Sequence, residues 1–204
     1  MSGPGLIILA AGSSSRMGKP KQLLPWKGRT LLRHAAETAL ATSLRPILVV
    51  LGLESEICQN ELVGLEIVSV INPRWSDGMG TSVAAGIAAL KKQAPDATGA
   101  LLILVDQPDV TSEFLESMAV HWSNGKVPIA ATKYPHGGGV PAIFSSSYFA
   151  ELRALNEDRG ARQIIYREAS SVVLLQPPME FADLDTPAHY KTRINEMYES
   201  RLST

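Results

Sequence analysis

Apolar residues in this chain gather in short, largely unbroken runs instead of alternating with polar ones. Leu6–Ala10, Pro46–Leu51, Leu65–Ile71, Ala100–Val105, Val127–Ala131 and Val172–Leu175 are the main runs, and β-branched side chains are frequent in them. A strand with one wet face alternates, so an unbroken run predicts a strand covered on both faces. Between these runs lie segments with apolar positions at helical spacing: Thr30–Ala41, Glu54–Leu62, Ser82–Lys92, Thr111–Trp122, Ser147–Leu155, Ala161–Arg167 and Pro187–Tyr198. Strands that alternate with helices predict an α/β fold of parallel βαβ units, with helices on both faces of the sheet. No internal repeat, low-complexity tract or linker interrupts the pattern, so one domain over residues 1–204 is expected. Pro135–Gly139, "PHGGG", reads as the most mobile loop, because three consecutive glycines lose the most entropy on ordering.

Composition narrows the class. A chain of 204 residues, 45% of them hydrophobic, can bury a substantial core. A formal net charge of -1 argues against a general nucleic-acid or membrane footprint, which needs a cationic excess. The distribution is more informative than the total. Arg16, Lys19, Lys21, Lys27, Arg29 and Arg33 fall in the first 36 residues, and the first acid is Glu37. Cys58 is the single cysteine, which excludes an intramolecular disulfide or a multi-thiolate metal site and suits a reducing cytoplasm. The run Leu6–Ala11 lacks preceding cations and is too short for a signal-peptide core, and none approaches the ~18 apolar residues of a membrane span. A soluble, cytoplasmic protein is expected.

In an open parallel sheet, ligands bind beyond the carboxyl ends of the strands. The loops to inspect are therefore Ala11–Pro25, Asn72–Thr81, Asp106–Val110 and Asp183–Thr186. The first, within "LAAGSSSRMGKPKQLL", nearly forms a phosphate-binding P-loop. Five residues instead of four separate Gly12 from Gly18, however, and Pro20 follows Lys19 where a metal-binding hydroxyl is needed. Pro20 should keep Lys19 extended. Arg16, Lys19 and Lys21 then read either as a polyphosphate clamp or as a solvated basic loop. The position after the first strand and the lack of local acids favour the clamp. In "WSDGMGTSVAAGIAAL", Thr81 or Ser82 is the expected N-cap of a helix whose N-terminus could also face an anion. Asp106 directly follows a buried strand, where a carboxylate could hold a hard cation that bridges phosphates. Asp109 reads as a turn or cap residue, and Asp185 is a possible second metal carboxylate, although Thr186 and Pro187 read as N-cap and N1 of the last helix and, for Asp185 alone, that capping reading is preferred. His34, His121, His136 and His189 fall in no metal-ligand spacing, and no G-x-S-x-G elbow accompanies "HGGG".

"LAAGSSSRMGKPKQLLPWKG" (Leu9–Gly28) resembles the L-A-x-G-x-S-x-R-M-G-x-x-K-x-L-L signature of nucleotidyltransferases, most closely the molybdenum cofactor cytidylyltransferase and guanylyltransferase group. "GMGTSVAAGI", "DQPDVT", "GGGVPAIF", "DRGAR" and "DLDTP" resemble later motifs of that group in the same order. The resemblance implies a Rossmann-like, mostly parallel sheet of the nucleotide-diphospho-sugar transferase type. It also implies transfer of a nucleoside monophosphate from an NTP to the terminal phosphate of molybdopterin. By position, Arg16 and Lys21 would hold the triphosphate as catalytic residues. Leu9, Ala10, Ala11 and Gly12 would line the base and ribose, with Gly80 and Ser82 near the nucleoside, and Asp106 and Asp185 would hold Mg²⁺. Molybdopterin or the molybdenum cofactor would be the acceptor, and a molybdoenzyme receiving the product is a further implied partner. The guanylyl branch tends to have glycine at the position of Ala11, which points to CTP. "PKQ" (Pro20–Gln22) also resembles the isoprenoid-pathway cytidylyltransferases, leaving a sugar or polyol phosphate as the alternative acceptor. A pterin- or nucleotide-binding chaperone is the non-catalytic alternative.

Overall fold

The computed structural model describes residues 3–12, 17–157 and 160–202, with backbone alone from 197 onward. β1 (Gly5–Ala10) is buried at every position, as its unbroken apolar run predicts. It lies between parallel neighbours, β4 (Ile47–Leu51) and β6 (Gly99–Leu104). Among the described residues, seven strands form one sheet. Its order is β5 (Val68–Ile71), β4, β1, β6, β8 (Gly137–Ser145), β7 (Ile129–Tyr134) and β9 (Val172–Leu175). Only the pairings of β8 with β6 and β7 are antiparallel in this sheet.

Side chains along β1 divide between two core layers with the two-residue period of a strand. Leu6, Ile8 and Ala10 join the layer covered by α1 (Leu31–Leu40), α4 (Ser112–Gly125) and α7 (Pro187–Leu202). Ile7, Leu9 and Ala11 join the layer covered by α3 (Met79–Gln93), α5 (Phe149–Arg153) and α6 (Arg162–Arg167). α2 (Ser55–Glu61) contributes buried Cys58 to the first layer. α3 lies close to the sheet: a Cβ on Gly86 would sit 2.7 Å from Ile7 Cγ2. Among the described residues, no helix is long and apolar enough to cross a membrane.

Several expected boundaries change. The run Leu65–Ile71 is a strand only over Val68–Ile71, and Val127–Ala131 becomes Ile129–Tyr134. The "PHGGG" stretch is not a mobile loop, because Gly137–Gly139 open strand β8 opposite Tyr134–Thr132 of β7. These glycines meet packed neighbours. A Cβ would lie 2.8 Å from the Tyr166 ring at Gly137, 2.6 Å from Ile165 Cγ2 at Gly138 and 2.8 Å from the Tyr134 ring at Gly139. Gly137 also has φ +112°, a conformation that L side chains rarely adopt. Glycine here permits close packing.

The expected cap of α3 also differs. The helix begins at Met79, before Thr81 and Ser82. Thr81 Oγ1 donates to the carbonyls of Arg74 and Gly78, both at 2.8 Å, and so tethers the preceding turn. Before α1, β2 (Pro25–Trp26) pairs antiparallel with β3 (Arg29–Thr30) across Lys27 and Gly28, at φ 48° and 82°. That is the two-residue hairpin turn with both central residues left-handed. Thr30 Oγ1 then accepts from Arg33 N at 3.2 Å and caps α1.

Candidate active site

The loop after β1 is held by one buried side chain. Gln22 Nε2 donates to the carbonyls of Ala10 at 2.6 Å and Gly12 at 3.0 Å, clamping a short 3-10 turn, Lys21–Leu23, against the end of the strand. The chain enters that turn through Pro20, at φ -58° and ψ 119°. The clamp points Lys21 across the carboxyl end of the sheet. Its Nζ donates to Asp106 Oδ2 at 2.9 Å and to Asp185 Oδ1 at 2.5 Å. Asp106 follows β6, the parallel neighbour of β1. Asp185 arrives on a strap whose Leu184 N donates to the Asp106 carbonyl at 3.0 Å. Three residues far apart in the chain thus converge.

Lys21 is largely enclosed, its side chain 12% exposed. Burial works against its charge, but the carboxylate of Asp106, with Asp185 beside it, outweighs that effect and holds the amine above its ordinary pKa. It is an ammonium at neutral pH. Gln107 Nε2 ties the strap further, donating to Asp183 Oδ1 at 2.8 Å and to the Tyr134 hydroxyl at 3.1 Å. Tyr134 in turn donates to the Val140 carbonyl at 2.7 Å. Burial raises the Asp183 carboxyl above its usual range, and the charge of Asp106 adds to this. Burial likewise pushes the Tyr134 phenol up to about 12. The Oε1 atoms of Gln22 and Gln107 are buried with no partner among the described residues.

The convergent pair suits a hard divalent cation. Asp106 Oδ2 and Asp185 Oδ1 approach one point closely enough to share an ammonium, and carboxylate oxygens are the donors that Mg²⁺ or Mn²⁺ takes. Among the described residues, no group of three His, Cys, Asp or Glu is placed to hold a metal. Phosphate oxygens of a substrate and water would therefore complete the coordination, as is usual for nucleotide-bound Mg²⁺.

The other predicted residues fall as follows. Leu9, Ala10 and Ala11 are buried at the end of β1, and Gly12 is exposed beyond them. Ala11 shares its core layer with Trp75. A Cβ on Gly52 would lie 2.5 Å from the Ala11 carbonyl oxygen and 2.6 Å from Trp75 Cβ. The backbone N–H of Gly80 donates to the Glu157 carbonyl at 2.9 Å. The Ser82 hydroxyl, buried, accepts from Asn72 Nδ2 at 3.0 Å. Arg16 lies outside the described residues, and Lys19 is exposed. Asp109 sits in a turn, as read, but is not the cap: it pairs with Arg193 of α7 at 2.6 Å, while Thr111 caps α4 through Phe114 N. Thr186 Oγ1 accepts from His189 N at 3.2 Å and Pro187 opens α7, the N-cap and first helical position read from the sequence, so Thr186 and not Asp185 is the cap. Of the remaining early cations, Arg29 and Arg33 pair with Glu37, and Lys27 lies 5.9 Å from the centre of the Trp26 ring.

Sequence reasoning assigned no role to Gln22 or Gln107. Their only signal was adjacency, Gln22 to Lys21 and Gln107 to Asp106. His34, on α1, faces the back of the same loop, with Nε2 2.9 Å from the Pro108 carbonyl. Burial lowers its pKa below 6.5, partly offset by that hydrogen bond. The folded protein therefore binds a proton at His34 less readily than the unfolded chain. Its contribution to stability is full above about pH 6.5 and is lost as pH falls toward the depressed folded value. Thermal melts are expected to show a decline in stability below pH 6.5 that is shallower in His34→Gln. An identical slope in that variant would remove His34 from the account.

The family model for MobA-like NTP transferase domains matches residues 6–172. Over 192 residues the chain is 37% identical to the molybdenum cofactor cytidylyltransferase of Escherichia coli (strain K12), covering 94% of this chain and 96% of that protein. It is 30% identical over 196 residues to the purine catabolism protein PucB of Bacillus subtilis (strain 168), covering 90% and 92%. It is also 38% identical over 128 residues to nicotine blue oxidoreductase of Paenarthrobacter nicotinovorans, a match spanning 61% of this chain and 60% of that protein. Among solved structures, Rv0371c from Mycobacterium tuberculosis H37Rv superposes with a TM-score of 0.80 at 28% identity, covering 96% of this chain and 99% of that one. The Rv0371c complex with manganese gives a TM-score of 0.73 at 26% identity, covering 94% and 97%. The family model and these matches, together with the sheet order, show that the chain belongs to the family of MobA-like NTP transferase domains, nucleotidyltransferases of the nucleotide-diphospho-sugar transferase fold.

Proposed function

We propose that this protein transfers CMP from CTP to the terminal phosphate of molybdopterin and releases pyrophosphate. The observation that supports this best is the cluster of Lys21, Asp106 and Asp185 at the carboxyl ends of β1 and β6. A phosphate oxygen of the acceptor attacks the α-phosphorus, a new P–O bond forms, and the bond to the pyrophosphate oxygen breaks. Charge grows on the non-bridging oxygens and on the leaving group, so fixed cations supply most of the stabilisation and no covalent nucleophile is needed. Lys21, with Arg16, neutralises the triphosphate. Asp106 and Asp185 hold a divalent cation, Mg²⁺ in this reading, which when bound would offset negative charge on the nucleotide phosphates. Leu9 to Gly12 present backbone to the base and ribose, and Gly80 and Ser82 border the nucleoside.

Base choice rests on Ala11. A methyl at this buried strand end leaves less depth for a purine than glycine would, and a pocket difference of one carbon is worth roughly ten-fold or more in selectivity. Pyrophosphate release is to be measured with each of four NTPs, with and without molybdopterin, in Mg²⁺, Mn²⁺ and EDTA. Turnover is expected with CTP, molybdopterin and metal together, and Ala11→Gly is expected to raise GTP use relative to CTP about ten-fold. Comparable wild-type turnover with GTP overturns the base assignment. Release driven by a sugar or polyol phosphate in place of molybdopterin overturns the acceptor, and binding without turnover favours a chaperone.

A further inference from the structure

We propose that Lys21 gates the metal site: without nucleotide its ammonium holds the place between Asp106 and Asp185, and a divalent cation settles there only when a triphosphate draws Lys21 away. The inference rests on the reading of Asp106 and Asp185 as the metal-holding pair. It begins from the geometry. One nitrogen lies 2.9 Å from Asp106 Oδ2 and 2.5 Å from Asp185 Oδ1, so both carboxylates direct an oxygen at the same point. A small divalent ion needs such oxygens at about 2.0–2.1 Å and in a fixed arrangement. An oxygen engaged with an ammonium in that direction cannot also present the same lone pairs to the ion. Charge reinforces the exclusion, because a cation and an ammonium a few ångströms apart in a partly enclosed site repel strongly.

The local fold allows Lys21 to leave without rearrangement. Gln22 pins the backbone of the turn to the Ala10 and Gly12 carbonyls, so the base of Lys21 stays fixed. Its four-carbon stem carries three donors through rotatable bonds and can exchange carboxylate oxygens for phosphate oxygens. A nucleoside triphosphate brings several negative charges to the mouth of this loop. It attracts the ammonium and supplies the missing metal ligands in the same event. Nucleotide and metal therefore bind with positive coupling, and by linkage each strengthens the other equally. The enzyme then takes its metal with the nucleotide and leaves free divalent ions largely unbound. Part of the coupling resides in one side chain.

The test is binding of Mn²⁺ alone, followed by electron paramagnetic resonance of the free ion, in wild type, Lys21→Met, Lys21→Arg and Asp106→Asn. Lys21→Met is expected to bind Mn²⁺ without nucleotide about ten-fold or more tightly than wild type, from removal of a neighbouring like charge. Lys21→Arg keeps the cation and stays weak. Addition of CTP is expected to tighten Mn²⁺ binding far more in wild type than in Lys21→Met. Equal or weaker Mn²⁺ binding by Lys21→Met overturns the gate. Should that variant fail to fold, wild type decides: Mn²⁺ bound as tightly without CTP as with it overturns the gate. The underlying reading fails separately, if Asp106→Asn leaves Mn²⁺ binding in the presence of CTP unchanged.

Discussion

Asp106→Asn is expected to lower pyrophosphate release by about 10³-fold at saturating nucleotide, with little change in melting temperature. Asparagine keeps the shape of the side chain and removes its charge. The site loses a hard oxygen donor, and Lys21 loses the Asp106 carboxylate while keeping that of Asp185. The strap survives, because Leu184 N bonds to the backbone carbonyl of residue 106 and not to its side chain. Lost turnover with a preserved fold therefore assigns the effect to chemistry. A coupled pyrophosphate assay and a thermal melt on the same preparation make the comparison, and turnover above a tenth of wild type would remove Asp106 from the mechanism.

Gly52→Ala is expected to destabilise the protein by about 1–3 kcal/mol and to weaken CTP binding along with it. The added Cβ would lie 2.5 Å from the Ala11 carbonyl oxygen and 2.6–2.7 Å from Cβ and Cγ of Trp75. None of these is the far end of a flexible side chain, so either the end of β1 or the Trp75 turn must move. Ala11 directly follows β1 in the segment that Gln22 clamps, and displacement there reaches the proposed base pocket. At about 2–4 °C per kcal/mol for a chain of this size, the melting temperature should fall by several degrees, with a rise in KM for CTP. An unchanged melting temperature would show that the two loops relax independently of β1.

These residues also show what could be read in advance. The strands beside β1 were legible because they are covered on both faces, and that burial leaves an unbroken apolar run in the sequence itself. β8 was not legible. Its three glycines carry the signature of a loop, and what selects them is Tyr134, Tyr166 and Ile165, which pack against them in the folded chain. Asp106 could be placed at a strand end from its neighbours alone. Asp185 could not, because "DTP" reads as a helix start with Thr186 as its cap, and only the fold brings the Asp185 carboxylate to Lys21.

The early cations mark the same division. The sequence by itself determined that positive charge collects after the first strand, that a carboxylate ends the fourth apolar run, and that the elements alternate as a parallel sheet requires. Each is a local property of neighbouring residues, and periodicity or composition records it. Tertiary structure alone decided that Lys21 meets Asp106 and Asp185. Those contacts depend on strand order and on the strap crossing the sheet end, and side chains 85 and 164 positions apart leave no local pattern that announces their meeting.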